Sequence, residues 1–354
     1  MNTELNPAFT LAGVAVAPGQ AAEINLPAAQ LYGNTPMDLT AIVMNGRRPG
    51  PTLLICAAIH GDEINGVEII RRLRELSAIK RLRGTLIMVP IVNLYGFVHR
   101  SRYLPDRRDL NRCFPGRESG SLGGRVAHLF FEEVVRRCTH IIDLHTGAVH
   151  RHNLPQIRAA LDDAETRRMA HAFSIPVIVN AGLIESTLRA AAQEESIPVI
   201  TYEAGEALRL DEKSIVTGVR GCVSVMRDLG MLPRRQARLT RAEPFVATST
   251  RWIRAESSGM FRALVNLGAR VSKGEVIGVI SEALRSEEQL VTSPVEGIVI
   301  CVNNLPLVIE GEALIHVARF GEAVAVEGEI ASHDNQIEQD PLYEVETVGD
   351  MDLG

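Results

Sequence analysis

A chain of 354 residues, 46% apolar and 23% charged, has ordinary globular composition and the length of about two domains, which excludes collagen, coiled coil and wholesale disorder. No apolar run approaches the roughly 18 residues of a membrane-crossing helix, no basic-then-apolar leader opens the chain, and five scattered cysteines without CxxC spacing fit free thiols in a reducing cytoplasm. The net charge of −6 is split between a tail with ten acids after Arg319 and a body, residues 1–319, of net +4 without a basic stripe, which speaks against a nucleic-acid partner.

Residues 1–40 predict short extended β pieces. Residues 51–59 form an apolar run of buried-strand length. Over 62–76, Ile64, Val67, Ile70, Leu73 and Leu76 recur at near-helical spacing, with Arg71, Arg72, Arg74 and Glu75 between them, which predicts a helix. Residues 84–92 predict a second strand. The polar stretch 99–124, with Pro105, Pro115 and four glycines, predicts a long loop. Then come helix 125–137, strand 140–144, helix 163–173, strand 177–179, helix 184–195, strand 197–202 and helix 212–229. This alternation predicts an α/β unit over 41–230, a mostly parallel mixed sheet with helices on both faces. Ligands of such sheets sit beyond the carboxyl ends of the strands. Residues 231–244 read as a linker. Residues 245–319, short apolar stretches cut by glycine turns, predict a small C-terminal all-β domain, and 320–354 an acidic tail.

Four motifs carry chemistry. His60-Gly-Asp-Glu63 follows the first apolar strand and sets an imidazole and a carboxylate three residues apart, both suitable zinc ligands. By itself it reads equally as a helix start with acids near the positive dipole end. His145, in Asp143-Leu-His-Thr-Gly147, emerges after another strand. In a parallel sheet it shares an edge with His60, and three ligands with one position left open is the catalytic zinc arrangement. Asp143 is a candidate to orient a ligating histidine. Glu203, in Tyr202-Glu-Ala-Gly205, is a third strand-end residue, placed to accept and return a proton. Residues 100–112 hold five arginines, Arg100, Arg102, Arg107, Arg108 and Arg112. Their planar forks suit carboxylates and polarised carbonyls. The plainer reading is a loop held by Arg–Asp pairs, such as Asp109 with a neighbouring arginine.

The motif order HGDE, Arg, DLNR, DLHTG, EAG over about residues 45–230 resembles the succinylglutamate desuccinylase/aspartoacylase family, within the zinc carboxypeptidase-like superfamily. The resemblance implies one Zn2+ per chain on His60, Glu63 and His145, and Glu203 as general base and acid. It implies Arg102, with Arg100 as the alternative, polarising the acyl carbonyl. It implies Asn111 and Arg112 holding the substrate carboxylate, with Arg158 as a further anchor. The activity implied is hydrolysis of the amide of a small N-acyl amino acid in the cytoplasm, with no membrane partner and room for a homo-oligomer. The alternatives are a zinc carboxypeptidase acting on peptides and a non-catalytic binding protein on the same fold.

Residues 268–275 and 293–299 resemble the turns of a biotinyl/lipoyl-type barrel-sandwich. A carrier needs an acceptor lysine on the hairpin between them. The stretch 282–289 has none, and the chain's three lysines are Lys80, Lys213 and Lys273. The β domain therefore reads as a wall, lid or assembly surface beside the active site.

Overall fold

The computed structural model describes residues 4–30, 34, 36–233, 244–284, 287–320, 330 and 333. The N-terminal part contains strands β1 (Phe9–Leu11), β2 (Val14–Val16), β3 (Ala21–Gln30), β4 (Pro36–Asn45) and β5 (Arg48–Ala57). Helix α1 (Asn65–Glu75), β6 (Arg83–Val89), α2 (Leu94–His99), α3 (Leu122–Glu133), β7 (His140–Gly147) and β8 (Arg151–Ala159) follow. Then come α4 (Ala164–Ala172), β9 (Val177–Asn180), α5 (Leu188–Glu194), β10 (Val199–Glu206) and α6 (Glu212–Asp228). The C-terminal strands are β11 (Phe245–Ala247), β12 (Ser249–Arg254), β13 (Gly259–Ala263), β14 (Arg270–Val271) and β15 (Val276–Ser281). The last are β16 (Glu288–Thr292), β17 (Gly297–Asn303), β18 (Leu307–Val308) and β19 (Ala313–Arg319).

One mixed sheet runs β12-β19-β17-β8-β10-β7-β5-β6-β4-β3, with β9 beside β8, β11 beside β9 and β14 beside β17. Parallel pairing is concentrated at its centre, where β10, β7, β5 and β6 lie side by side. The flanks, β4 with β6 and β8 with β10, are antiparallel. Alternate residues of β5 serve opposite faces, as a period of two requires. Leu53, Ile55 and Ala57 join a core with α1, α4 and α6, while Leu54 and Cys56 join one with α2, α3 and α5. Helices thus cover both faces. Side-chain caps set the starts of α3, α4, α5 and α6, through Ser121, Asp163, Thr187 and Asp211. The Thr187 cap explains why the helix expected from residue 184 begins at Leu188.

Two elements escape the sequence pattern. Helix α2 fills part of the expected 99–124 loop's approach, and β8 crosses a stretch without strand signal. Pro155 interrupts β8, and proline is tolerated within sheets mainly at edges or bulges. The register supplies the bulge: Gln156 pairs with Glu203 and Asn153 with Gly205, leaving two residues of β8 opposite one of β10.

The expected C-terminal all-β part is present, built largely of antiparallel strands, and it is continuous with the main sheet. Strand β17 pairs with β8, and β11 with β9, so the main sheet continues into them. Met231 and Leu232, at the start of the expected linker, are buried in the α1/α4/α6 core, while 234–243 lie outside the described residues. A second sheet, β16-β15-β13-β18, packs over a shared apolar core against β12, β14, β17 and β19. The expected acidic tail lies almost wholly outside the described residues. None of the described helices is long and apolar enough to cross a membrane.

Because β8 and β9 carry C-terminal strands on their outer edges, a chain ending at Leu232 bares both edges and the apolar residues Leu154, Val177 and Val179. Such a truncation is expected to lose soluble, cooperatively melting protein. A truncated protein with the full-length melting temperature and a monodisperse elution profile would show that the catalytic part stands alone.

Candidate active site

Strand β5 ends under the α/β sheet's carboxyl edge, and residues 58–64 turn from it into α1. The turn is tight. A Cβ on Gly61 would lie 2.0 Å from the Gly96 carbonyl carbon of α2, so only glycine lets this loop seat against that helix. The same edge receives the ends of β7 and β10, which carry His145 and Glu203 as direct register partners. Gly205, at φ +74°, lets β10 bulge just past Glu203, and a Cβ there would meet Asn65 Nδ2 at 2.5 Å. The bulge re-aims Glu203 toward the cleft.

His60, Glu63 and His145 are all buried. The Glu63 carboxylate sits between the two imidazoles, with Oε1 2.8 Å from His60 Nδ1 and Oε2 2.7 Å from His145 Nδ1. The Thr146 amide donates to Oε2 at 3.1 Å, and Arg102 Nη1 to Oε1 at 3.1 Å. The outer nitrogen of each ring faces a second carboxylate: His60 Nε2 lies 3.1 Å from Asp109, and His145 Nε2 2.8 Å from Asp143. Two imidazoles and a carboxylate whose ligand atoms lie within 4.8 Å of one another suit a divalent metal. Carboxylates behind both histidines are the expected support for such ligands. The residues therefore fit zinc.

Charge coupling within the cluster is strong. Burial would push the Glu63 carboxyl up, yet the two imidazoles hold it well below the usual carboxylate range. Burial likewise opposes charge on the histidines. For His60 the Glu63 and Asp109 carboxylates outweigh it, for His145 Asp143 and Glu63 do, and both imidazoles are held above their ordinary range. Asp109 is held low against its own burial, chiefly by His60 and then Arg102.

The cleft is lined by the cluster together with Arg102, Arg151, Asn153, Arg158, Glu203, Trp252 and Cys301, among others. Glu203 Oε2 accepts from Asn153 Nδ2 at 2.7 Å, and Arg158 Nε lies 3.5 Å from its other oxygen. Arg102, clamped to Glu63 and Asp109, faces the cleft, whereas Arg100 caps α2 and is exposed. Cys301 also lines the cleft, and burial lifts its thiol to about 12.

Asn111 and Arg112 are not brought to the cleft lining. They lie in a 3-10 turn, Leu110–Arg112, where successive side chains diverge. The Asn111 side chain accepts from the Leu188 amide at 2.9 Å, and Arg112 is exposed, donating to the Asn111 carbonyl. The residue of this motif that reaches the site is Asp109, whose pairing with Arg102 the sequence offered as the plainer reading. Asn153, Arg151 and Trp252 are lining residues that the sequence did not mark. They come from β8, which has no strand signal, and from the C-terminal strands.

A buried His–Glu–His cluster and a neighbouring strand-end glutamate lie together at the carboxyl edge of a mixed α/β sheet, a donor set that suits a metal-dependent hydrolase. The succinylglutamate desuccinylase/aspartoacylase catalytic domain matches residues 49–229, and the chain belongs to that family of deacylases, which are amidohydrolases acting on N-acyl amino acids. An N-alpha-acetyl-L-2,4-diaminobutyric acid deacetylase of Halomonas elongata is 26% identical over 250 residues, 68% of this chain and 73% of that protein. A succinylglutamate desuccinylase/aspartoacylase crystal structure from Rhodobacter sphaeroides superposes with a TM-score of 0.76 at 25% identity, covering 85% of this chain and 95% of that one. The product-bound ectoine utilization protein EutE of Ruegeria pomeroyi has the same fold, with a TM-score of 0.75 at 24% identity over 84% of this chain and 94% of that one.

Two outcomes follow from the cluster. Asp109→Asn removes the charge behind His60 and is expected to weaken metal binding about 10–100-fold, the scale of such supporting carboxylates; unchanged affinity in a competition titration would detach Asp109 from the site. Raised imidazole pKa values also mean that the metal must displace protons. Metal affinity is therefore expected to rise with pH and to keep rising above the ordinary histidine value of about 6.5. A flat affinity profile above that pH would contradict the raised values.

Proposed function

We propose that the protein is a zinc-dependent deacylase that hydrolyses the amide bond of a small N-acyl amino acid. The observation that carries this reading is the register pairing of Glu203 with His145, which sets a cleft-lining carboxylate beside a His–Glu–His cluster in an open, arginine-lined cleft. His60, Glu63 and His145 would hold the zinc, which supplies Lewis-acid activation of water and of the acyl carbonyl.

The chain's own residues do the rest. Glu203 accepts a proton at its carboxylate as water attacks the acyl carbon, then returns it to the departing amine. Asn153 and Arg158 fix that carboxylate, so one oxygen keeps a defined direction. Arg102 places a guanidinium beside the cluster, where negative charge gathers on the carbonyl oxygen. Arg158, which lines the cleft where Asn111 and Arg112 do not, is the proposed anchor for the substrate carboxylate. The deacylase relatives support this reading over a peptidase, and the wall that the C-terminal strands raise on one side of the cleft favours small substrates.

Glu203→Gln keeps the shape of the side chain and removes the proton acceptor. It is expected to lower kcat about 10²–10⁴-fold while metal content and melting temperature stay unchanged. A panel of acetyl-, succinyl- and formyl-amino acids assayed with the zinc-loaded protein supplies the substrate for that measurement. Near-normal turnover in the variant would assign proton transfer to another group.

A further inference from the structure

The cleft's far wall is built by register. Trp252 of β12 pairs with His316 of β19, His316 with Cys301 of β17, Cys301 with Asn153 of β8, and Asn153 with Gly205 of β10. Residues opposite one another across adjacent strands share a face of the sheet. A single row therefore leads from the C-terminal strands to the strand that carries Glu203. With strands about 4.8 Å apart, Trp252 stands about 14 Å from β8, and its ring and a long β8 side chain can close that distance over the cleft.

The structure fills that space with a stack. The Trp252 ring lies on the His316 imidazole, centroids 4.2 Å apart and planes 7° from parallel. The Arg151 guanidinium, from the first residue of β8, lies over the Trp252 ring at 5.2 Å from its centroid. His316 adds no charge, because burial first, and then Arg158 and Arg151, push its pKa down to about 3. Arg151 is thus the cation of the stack, and among the described residues no carboxylate pairs with it. The other cleft arginines differ: Arg102 is held by Glu63 and Asp109, and Arg158 faces Glu203. Even Arg158 keeps a buried Nε without a hydrogen-bond partner. A planar guanidinium fixed over an aromatic ring, open to a cleft and lacking an acceptor, is suited to a carboxylate.

We propose that Arg151 and Trp252 form a specificity subsite for a second carboxylate of the substrate, a carboxylate beyond the one assigned to Arg158, with the C-terminal strands supplying the aromatic half. The subsite rests on the deacylase reading for its biological substrate, but its binding chemistry is testable apart from turnover. The carboxylate belongs either to the acyl group or to the amino-acid side chain, and both present the same chemistry to Arg151.

Trp252 is the sole tryptophan of the chain, so its emission reports the subsite directly. Zinc-loaded protein titrated with succinate is expected to show a saturable emission change, and the neutral isostere succinamide none. Arg151→Gln is expected to weaken succinate binding about tenfold or more, the scale of a lost hydrogen bond to a charged group, with Arg151→Lys between the two. Trp252→Phe, which keeps an aromatic platform, checks by melting temperature and by KM that the wall still folds. Under turnover, Arg151→Gln is expected to raise KM selectively while kcat holds. The rise appears for N-acetylglutamate and not N-acetylglutamine if the amino-acid side carries the carboxylate, and for N-succinylalanine and not N-butyrylalanine if the acyl group does. Succinate binding equal in wild type and Arg151→Gln, or succinamide binding as well as succinate, overturns the subsite. Absence of turnover on every amide, with succinate binding still dependent on Arg151, overturns the deacylase reading and leaves the subsite standing.

Discussion

A buried carboxylate held between two imidazoles organises this molecule. Glu63 is buried and charged, a state that costs several kcal/mol unless partners surround it. His60, His145, Arg102 and the Thr146 amide all supply contacts to its two oxygens. Those partners come from three separate places in the chain: the β5–α1 turn, the end of β7, and the long arginine loop. The fold must deliver each to within hydrogen-bond distance. The close approach at Gly61, the parallel register of β5, β7 and β10, and the clamp of Asp109 on both His60 and Arg102 serve that demand.

The central part of this arrangement was legible in the sequence. Apolar runs of strand length marked β5, β7 and β10, and each chemical residue followed one directly. Parallel strands then bring those residues to one edge without any knowledge of packing. The helices other than α2 showed in the sequence pattern, and their starts moved by a few residues where a cap such as Thr187 intervened.

What the sequence hid was carried by register and by antiparallel pairing. Strand β8 contains Pro155 and a mixed polar pattern, and only the bulge opposite Ala204 makes it a strand. It holds Asn153 and Arg158 against Glu203, and Arg151 against Trp252. The continuation of the main sheet into β17 and β19 was equally silent, since a change from helix-strand alternation to short strands reads as a domain boundary. In the arginine loop, the motif pointed to Asn111 and Arg112, but they lie in a 3-10 turn outside the cleft lining, while Asp109, just before the turn, reaches His60 and Arg102. A turn of three residues decides which side chain of a polar motif faces inward, and composition carries no trace of that.

The proposed deacylase reading depends on the His–Glu–His cluster holding zinc. The most direct measurement strips the protein with a chelator, restores zinc in defined amounts, and follows hydrolysis of an N-acyl amino acid together with bound metal. The account predicts that activity vanishes on stripping and returns in proportion to bound zinc, reaching its plateau at one equivalent per chain. Full hydrolysis by the stripped protein, or restoration that needs no metal bound at His60, Glu63 and His145, would contradict it.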